Sequence, residues 1–239
     1  MSRLSSVVAL VLAIIVGPAR GEDLAALLAG ATAAAHPSAT VRGDGELVTT
    51  SPDGSVRARV AVLQRANGDV YVEVQPPGAR ALIPVGGNAL LSEKPGAAPA
   101  AFPNDGALAA SEFTREDLQP FDAGRYGSPT IVDRSPAETT VSLDPHGSQY
   151  SLVVITFDRE KQVPVKVMSY KDTYSHLLRM RREQGHVQVA GRWLPTEIAI
   201  ENFPLNVTST LTVKWTAAAD QPERFDPKTF ATAPALIQP

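Results

Sequence analysis

Between Val41 and Trp215 apolar residues recur mostly at every second position, the period of a half-buried β-strand, and turn residues interrupt them at short intervals. Val56, Ala58, Val60 and Val62 share one face, with Arg57 and Arg59 on the other. Val70, Val72 and Val74 alternate with Tyr71 and Glu73. Val207, Ser209, Leu211, Val213 and Trp215 alternate with Thr208, Thr210, Thr212 and Lys214. The intervening turns carry their own chemistry. Pro52-Asp53-Gly54 combines a preset φ with a residue free to adopt φ > 0, and Asn67-Gly68 is a strong short hairpin signal.

Further strands are expected over Val41–Thr50, Arg80–Val85, Asn88–Leu91, Thr130–Val132, Thr139–Leu143, Gln149–Phe157, Val163–Tyr170, Val187–Val189 and Arg192–Phe203. The run from Gln149 to Phe157 is almost continuously apolar, as in a strand covered on both faces. The piece from Tyr174 to Arg182 reads two ways. Leu177, Leu178 and Arg181 could line a helix, while Tyr174, His176, Leu178 and Met180 alternate as a strand. A single helix is expected from Asp23 to Ala35, with Leu24, Leu27 and Leu28 on one face and His36-Pro37 ending it. Within Ser92 to Gly106, Lys94–Pro103 is rich in Pro, Gly and Ala and is expected to be a mobile loop. A short helical turn is expected at Thr114, with Asp117 at its N3 position. About eleven or twelve strands without crossover helices predict a mainly β fold built on a large antiparallel sheet. Twist accumulates in such a sheet, so it should curl into an open half-barrel, with helices and a loop covering the mouth.

The ends alter this picture. Arg3 precedes an uncharged apolar run from Leu4 to Val16, and Ala19-Arg20-Gly21 offers small residues for a signal peptidase. The run is shorter than the roughly 20 residues of a membrane span. Residues 1–21 are therefore expected to be a signal peptide cleaved near Gly21, and residues 22–239 a single domain in the periplasm. The chain has no cysteine, which removes disulfides, thiol chemistry and a lipobox. Its formal charge is −3, and loss of Arg3 and Arg20 with the signal makes it −5. An acidic chain of this kind is not expected to bind nucleic acid.

Candidate chemistry is sparse. The four histidines, His36, His146, His176 and His186, show no metal-ligand spacing, and no G-x-S-x-G elbow or phosphate-cradling glycine loop occurs. Carboxylate pairs such as Glu116 with Asp117 sit among Arg and Lys, as solvated or ion-paired groups do. No catalytic residue, metal or cofactor is expected. Hydrophobic residues make up 44% of the chain, which suits either a close-packed core or an apolar cavity for an acyl chain. Alternation alone marks Val60, Val62, Val72, Val74, Leu82, Val153, Ile155, Phe157, Met168 and Met180 as inward-facing, and a one-residue slip would move a strand's set to the other face.

The series Gln149–Lys161, Val163–Lys166, Tyr170–Thr173, Leu178–Arg182, Trp193–Thr196, Glu201–Phe203 and Leu211–Trp215 resembles the bacterial outer-membrane lipoprotein-sorting family, relatives of the LolA-like periplasmic lipoprotein carriers. Phe113–Phe121 resembles that family's linking segment, and the likeness is strongest from Phe113 to Trp215. The resemblance favours the strand reading of 174–182. It implies an open barrel whose cavity, lined by the inward-facing set above, takes the acyl chains of a lipoprotein or lipid. Phe102, Phe113, Leu118 and Phe121 are then lid or anchor residues, although aromatics also simply pin loops to cores. It further implies a monomeric, non-enzymatic carrier with transient membrane contact and an inner-membrane exporter as partner. A non-catalytic envelope scaffold that binds a protein through a strand edge is the alternative. A hydrolase built on an acid pair is a more distant one.

Overall fold

The computed structural model describes residues 19–237; residues 1–18 of the expected signal peptide (residues 1–21) lie outside the described residues. Helix α1 (Ala19–Ala34) is followed by β1 (Val41–Ser51), β2 (Gly54–Gln64), β3 (Val70–Gln75), β4 (Ala79–Ile83), β5 (Leu90–Ser92) and β6 (Ala100–Ala101). A one-turn helix α2 (Arg115–Leu118) then leads into β7 (Tyr126–Arg134), β8 (Glu138–Pro145), β9 (Leu152–Asp158), β10 (Val163–Tyr170) and β11 (Leu177–Gln184). The hairpin β12 (Val187–Val189) and β13 (Arg192–Leu194) precedes β14 (Glu197–Asn202) and β15 (Val207–Ala217). All but that hairpin join one 13-stranded antiparallel sheet, in the order β6-β5-β4-β3-β2-β1-β15-β14-β11-β10-β9-β8-β7. The sheet is open: β6 and β7 are its edges.

Several local expectations are corrected. Lys94–Pro103, expected to be a mobile loop, contains β6, because Ala100 and Ala101 pair with Leu91 and Leu90 and Phe102 is 1% exposed. The expected strand Arg192–Phe203 is split at Pro195, which has no N–H for a ladder and whose carbonyl accepts from Trp215 Nε1 at 2.8 Å. The ambiguous piece at 174–182 is a strand from Leu177 onward, paired with both β10 and β14.

The sheet consists of two meanders, β1–β6 and β7–β15, joined by pairing of the first strand with the last. Val41 lies opposite Ala217 and Leu47 opposite Leu211 in that joint. It requires Gly45, which faces Val213. A Cβ there would stand 2.1 Å from the Thr212 carbonyl oxygen, a backbone atom that cannot yield without moving β15. Gly45→Ala is therefore expected to cost about 1–3 kcal/mol, the usual range for overpacking. A wild-type midpoint in urea unfolding would show that the joint tolerates the methyl group.

One face of the sheet is covered by α1 and by residues 102–121. On this face Val60, Val62, Val72, Val74, Ala81 and Ile83 pack against Phe102, Leu108 and Phe113. Leu28 and Ala31 of α1 and Ala35 just after it pack with Phe121 onto Val141, Leu143, Val153, Ile155 and Phe157, with Leu24 and Leu27 of the expected apolar stripe partly buried against them. The other face of β2–β4 is equally apolar. Ala61, Leu63, Tyr71 and Leu82 there are covered by Phe225, Phe230 and Leu236 of the C-terminal segment. That segment is tied down by a buried polar pair. Arg80 Nη1 donates to the carbonyls of Ala231 (2.6 Å) and Ala233 (2.8 Å), and Glu73 Oε2 accepts from the Leu236 N–H at 3.1 Å. Burial, then the neighbouring Glu73, pushes the Tyr71 phenol up to about 12.

Candidate functional site

The covered face is not uniformly apolar. On β11, Arg181 lies opposite Val167 of β10 and Ile200 of β14, so it points inward at the seam between the two apolar clusters. Arg179 and Glu183 share that face by strand period. Charged side chains can be buried here because each finds a partner. Asp117 of α2 receives Arg179 Nη2 at 2.8 Å and lies 3.8 Å from Arg181 Nη1. Arg181 also pairs with Glu183, whose other oxygen lies 3.8 Å from His186 Nε2. Arg179 donates to the Tyr150 hydroxyl at 3.1 Å and to the Glu112 carbonyl.

Asp117 belongs to the expected turn, and its carboxylate accepts from the Thr114 N–H and hydroxyl, each at 2.8 Å. The strand thereby becomes the place where the covering segment is fastened. Burial alone would raise the Asp117 and Glu183 carboxyls, but the adjacent guanidiniums outweigh it and hold both below their ordinary values. Arg192, whose partner is the uncharged Gln64 amide oxygen, is instead pushed down to about 10 by burial.

Two inner cavities flank the covering segment. One of about 240 Å³ lies over β9–β11 and is lined by Tyr150, Val153, Ile155 and Val167 together with Arg115, Glu116, Arg125 and His146. The other, of about 100 Å³, lies between α1 and the opposite meander and is lined by Ala31, Val62, Val70, Phe113, Leu118, Trp193 and Leu211. Asp117, Gln119, Phe121, Pro164 and Arg181 line both, so α2 and the residues just after it form the partition. A third, apolar trough of about 540 Å³ opens over Leu47, Val56, Ala58, Val74 and Leu91, beneath residues 107–110.

These positions sort the expected inward-facing set. Val153 and Ile155 line the first cavity, Val62 the second and Val74 the trough. Val60, Val72 and Phe157 are on the covered face but packed within its clusters. Leu82 is on the opposite face, beneath the C-terminal segment, because both faces of β4 are apolar and alternation cannot rank them. Met168 and Met180 face each other across β10 and β11, in register with Val154 and Glu201 and opposite in sense to Val167 and Arg181. They are outward, since β11 turns Arg179, Arg181 and Glu183 inward. Of the anchor candidates, Phe102 and Phe113 are buried in the first meander's cluster with Leu118 packed against it, and Phe121 is in the second's. Phe121 meets Phe157 edge-on at 5.2 Å and stacks on Tyr126 at 5.8 Å.

Arg179, Arg181 and Glu183 escaped sequence reasoning. The available signal was their period-2 spacing on a strand flanked by apolar ones. Among the described residues no three His, Asp or Glu side chains converge as a metal-ligand group.

No protein-family model matches this sequence, and no curated protein matches it. Solved structures do. A domain from Vibrio parahaemolyticus, described as an outer membrane lipoprotein-sorting protein domain, superposes with a TM-score of 0.73 at 15% identity, covering 88% of this chain and 99% of that one. A LolA superfamily protein from Nitrosomonas europaea gives 0.66 at 18% identity, covering 85% and 97%. A DUF1329 family protein from Desulfovibrio piger gives 0.72 at 12% identity, with the same coverage. At such identities the likeness speaks for architecture, and it agrees with the open antiparallel sheet and its inner cover: this chain has the fold of the LolA superfamily and of outer membrane lipoprotein-sorting domains.

Proposed function

We propose that this protein is a non-enzymatic periplasmic carrier that binds the acyl chains of a lipoprotein or lipid inside its open sheet and moves them between the inner and outer membranes. The observation that carries this reading is the divided interior. A segment fastened at Phe113, Asp117 and Phe121 separates two cavities, one with an apolar floor beneath a charged wall and the other largely apolar, and the same five residues line both. Each cavity is smaller than the roughly 300–1,000 Å³ of ordinary small-molecule sites. Movement of the segment would merge them, and every methylene then buried contributes about 0.8 kcal/mol. Release would follow from differential affinity for the open and closed arrangements, with no covalent step. Delivery by an inner-membrane exporter and action as a monomer belong to the same proposal.

The test is lipid mass spectrometry on protein purified from a periplasm without detergent. A stoichiometric acyl-bearing ligand is the expected result and would name the cargo class. A ligand-free protein that also fails to take up a fluorescent fatty-acid probe would overturn the carrier reading in favour of an envelope scaffold.

A further inference from the structure

The 240 Å³ cavity has a charge imbalance that an apolar cargo does not explain. Its wall carries four arginines and His146 against two carboxylates, Glu116 and Asp117. Asp117 is committed to Arg179 and Arg181. Glu116 accepts from the Ser148 hydroxyl at 3.2 Å, and burial pushes its carboxyl up, toward the neutral form. Among the described residues, no carboxylate lies in ion-pair range of Arg115 or Arg125. Arg115 donates to the Phe102 carbonyl at 3.3 Å, and Arg125 to Gln119 Oε1 at 2.7 Å and the Pro120 carbonyl at 2.8 Å. The Nε atoms of Arg115 and Arg125 are buried without an acceptor, and so is that of Arg179, a residue only 7% exposed. The two unpaired guanidiniums also disfavour each other, since Arg125 helps hold Arg115 below its usual value after burial has done so first.

Buried donors without acceptors are costly, and a cavity between them is where an acceptor belongs. The guanidinium fork matches the oxygens of a carboxylate or a phosphate. The cavity floor, in contrast, is Val153, Ile155 and Val167. We infer that this cavity is the headgroup site for an anionic amphiphile, whose carboxylate or phosphate sits between Arg115 and Arg125 while its chain runs over Val153 and Ile155 toward the second cavity. The inference rests on the carrier reading and narrows its cargo. The size fits the division of labour, because the space suits a headgroup and the first methylenes and leaves the remaining chain to the merged interior.

The experiment compares matched ligands on the wild-type chain and on R115Q/R125Q, whose side chains can still donate to the carbonyls they now touch. The ligands are oleate against oleyl alcohol, phosphatidic acid against diacylglycerol, and inorganic phosphate alone. The wild type should bind the anionic member of at least one pair about tenfold or more tightly than its neutral counterpart, as charge-assisted hydrogen bonds imply. The pair that shows the preference tells carboxylate from phosphate. The variant should lose that preference, keep its affinity for the neutral member and unfold near the wild-type midpoint. Equal wild-type binding of charged and neutral members would overturn the headgroup site and leave the carrier reading standing. Binding of neither overturns both. Phosphate bound as tightly as phosphatidic acid would also overturn the inference, because the chain would then contribute nothing.

Discussion

Asp117→Ala is expected to unfasten the covering segment and to cost about 3–5 kcal/mol, the range for removing one partner of a buried ion pair. The carboxylate is the shared acceptor of Arg179 and of Thr114, and it lies beside Arg181. Without it Arg179, 7% exposed, keeps only the Tyr150 hydroxyl and the Glu112 carbonyl. Hydrogen exchange should accelerate over residues 107–121 first, with urea unfolding reporting the stability loss. Adding Arg179→Met should recover part of the loss, because the stranded charge is then gone. A single variant with wild-type protection in this segment would show that Phe102, Phe113 and Phe121 hold it without the ion pair.

The same contact has a defined pH response. The Asp117 pKa is depressed in the folded protein, the arginines outweighing the effect of burial. Its stabilisation is therefore fully present above its unfolded value of about 3.9, and is lost as the pH falls through the lower folded value. Protection factors in residues 107–121 should be flat from about pH 8 to pH 5 and should decline only below about pH 4. Loosening near pH 6 would place the fastening in another group.

Phe157→Ala is expected to cost about 3–5 kcal/mol, as for an aromatic ring removed from a filled interior. Phe157 is fully buried, lies edge-on to Phe121 and lines neither inner cavity. Were it the wall of a standing lipid cavity, truncation would enlarge that cavity at little cost. A stability loss well under 1.5 kcal/mol, the usual cost of a volume-conserving core swap, would argue for that arrangement. The readout is the urea midpoint compared with that of Ile155→Val, where a smaller cavity term applies.

Elements whose identity depends on neighbours in the chain were legible from residue pattern. The α1 stripe of Leu24, Leu27 and Leu28 does face the interior, Asn67-Gly68 does turn β2 into β3, and Val60, Val62, Val72 and Val74 do share one face. Faces became illegible where both sides of a strand are covered. Leu82 and Val72 look alike in sequence, yet one meets Phe225 and Phe230 and the other the Phe113 cluster. The covering partner of Leu82 arrives well over a hundred positions later, in a stretch with no strand pattern to announce it. Met168 and Met180 face outward for a related reason: on β11 the charged Arg179, Arg181 and Glu183, not the apolar positions, are the inward set.

Alone, the sequence determined the antiparallel strands, their turns, the single amphipathic helix and the absence of cysteine chemistry, because period, φ preference and composition are local properties. Only the tertiary structure decided that the first strand pairs with the last, that Arg179, Arg181 and Glu183 turn inward, and that Asp117, 62 residues before Arg179, meets them there. Burying those charges is favourable only once the partner is in place, and no periodicity along one strand encodes a partner on another segment.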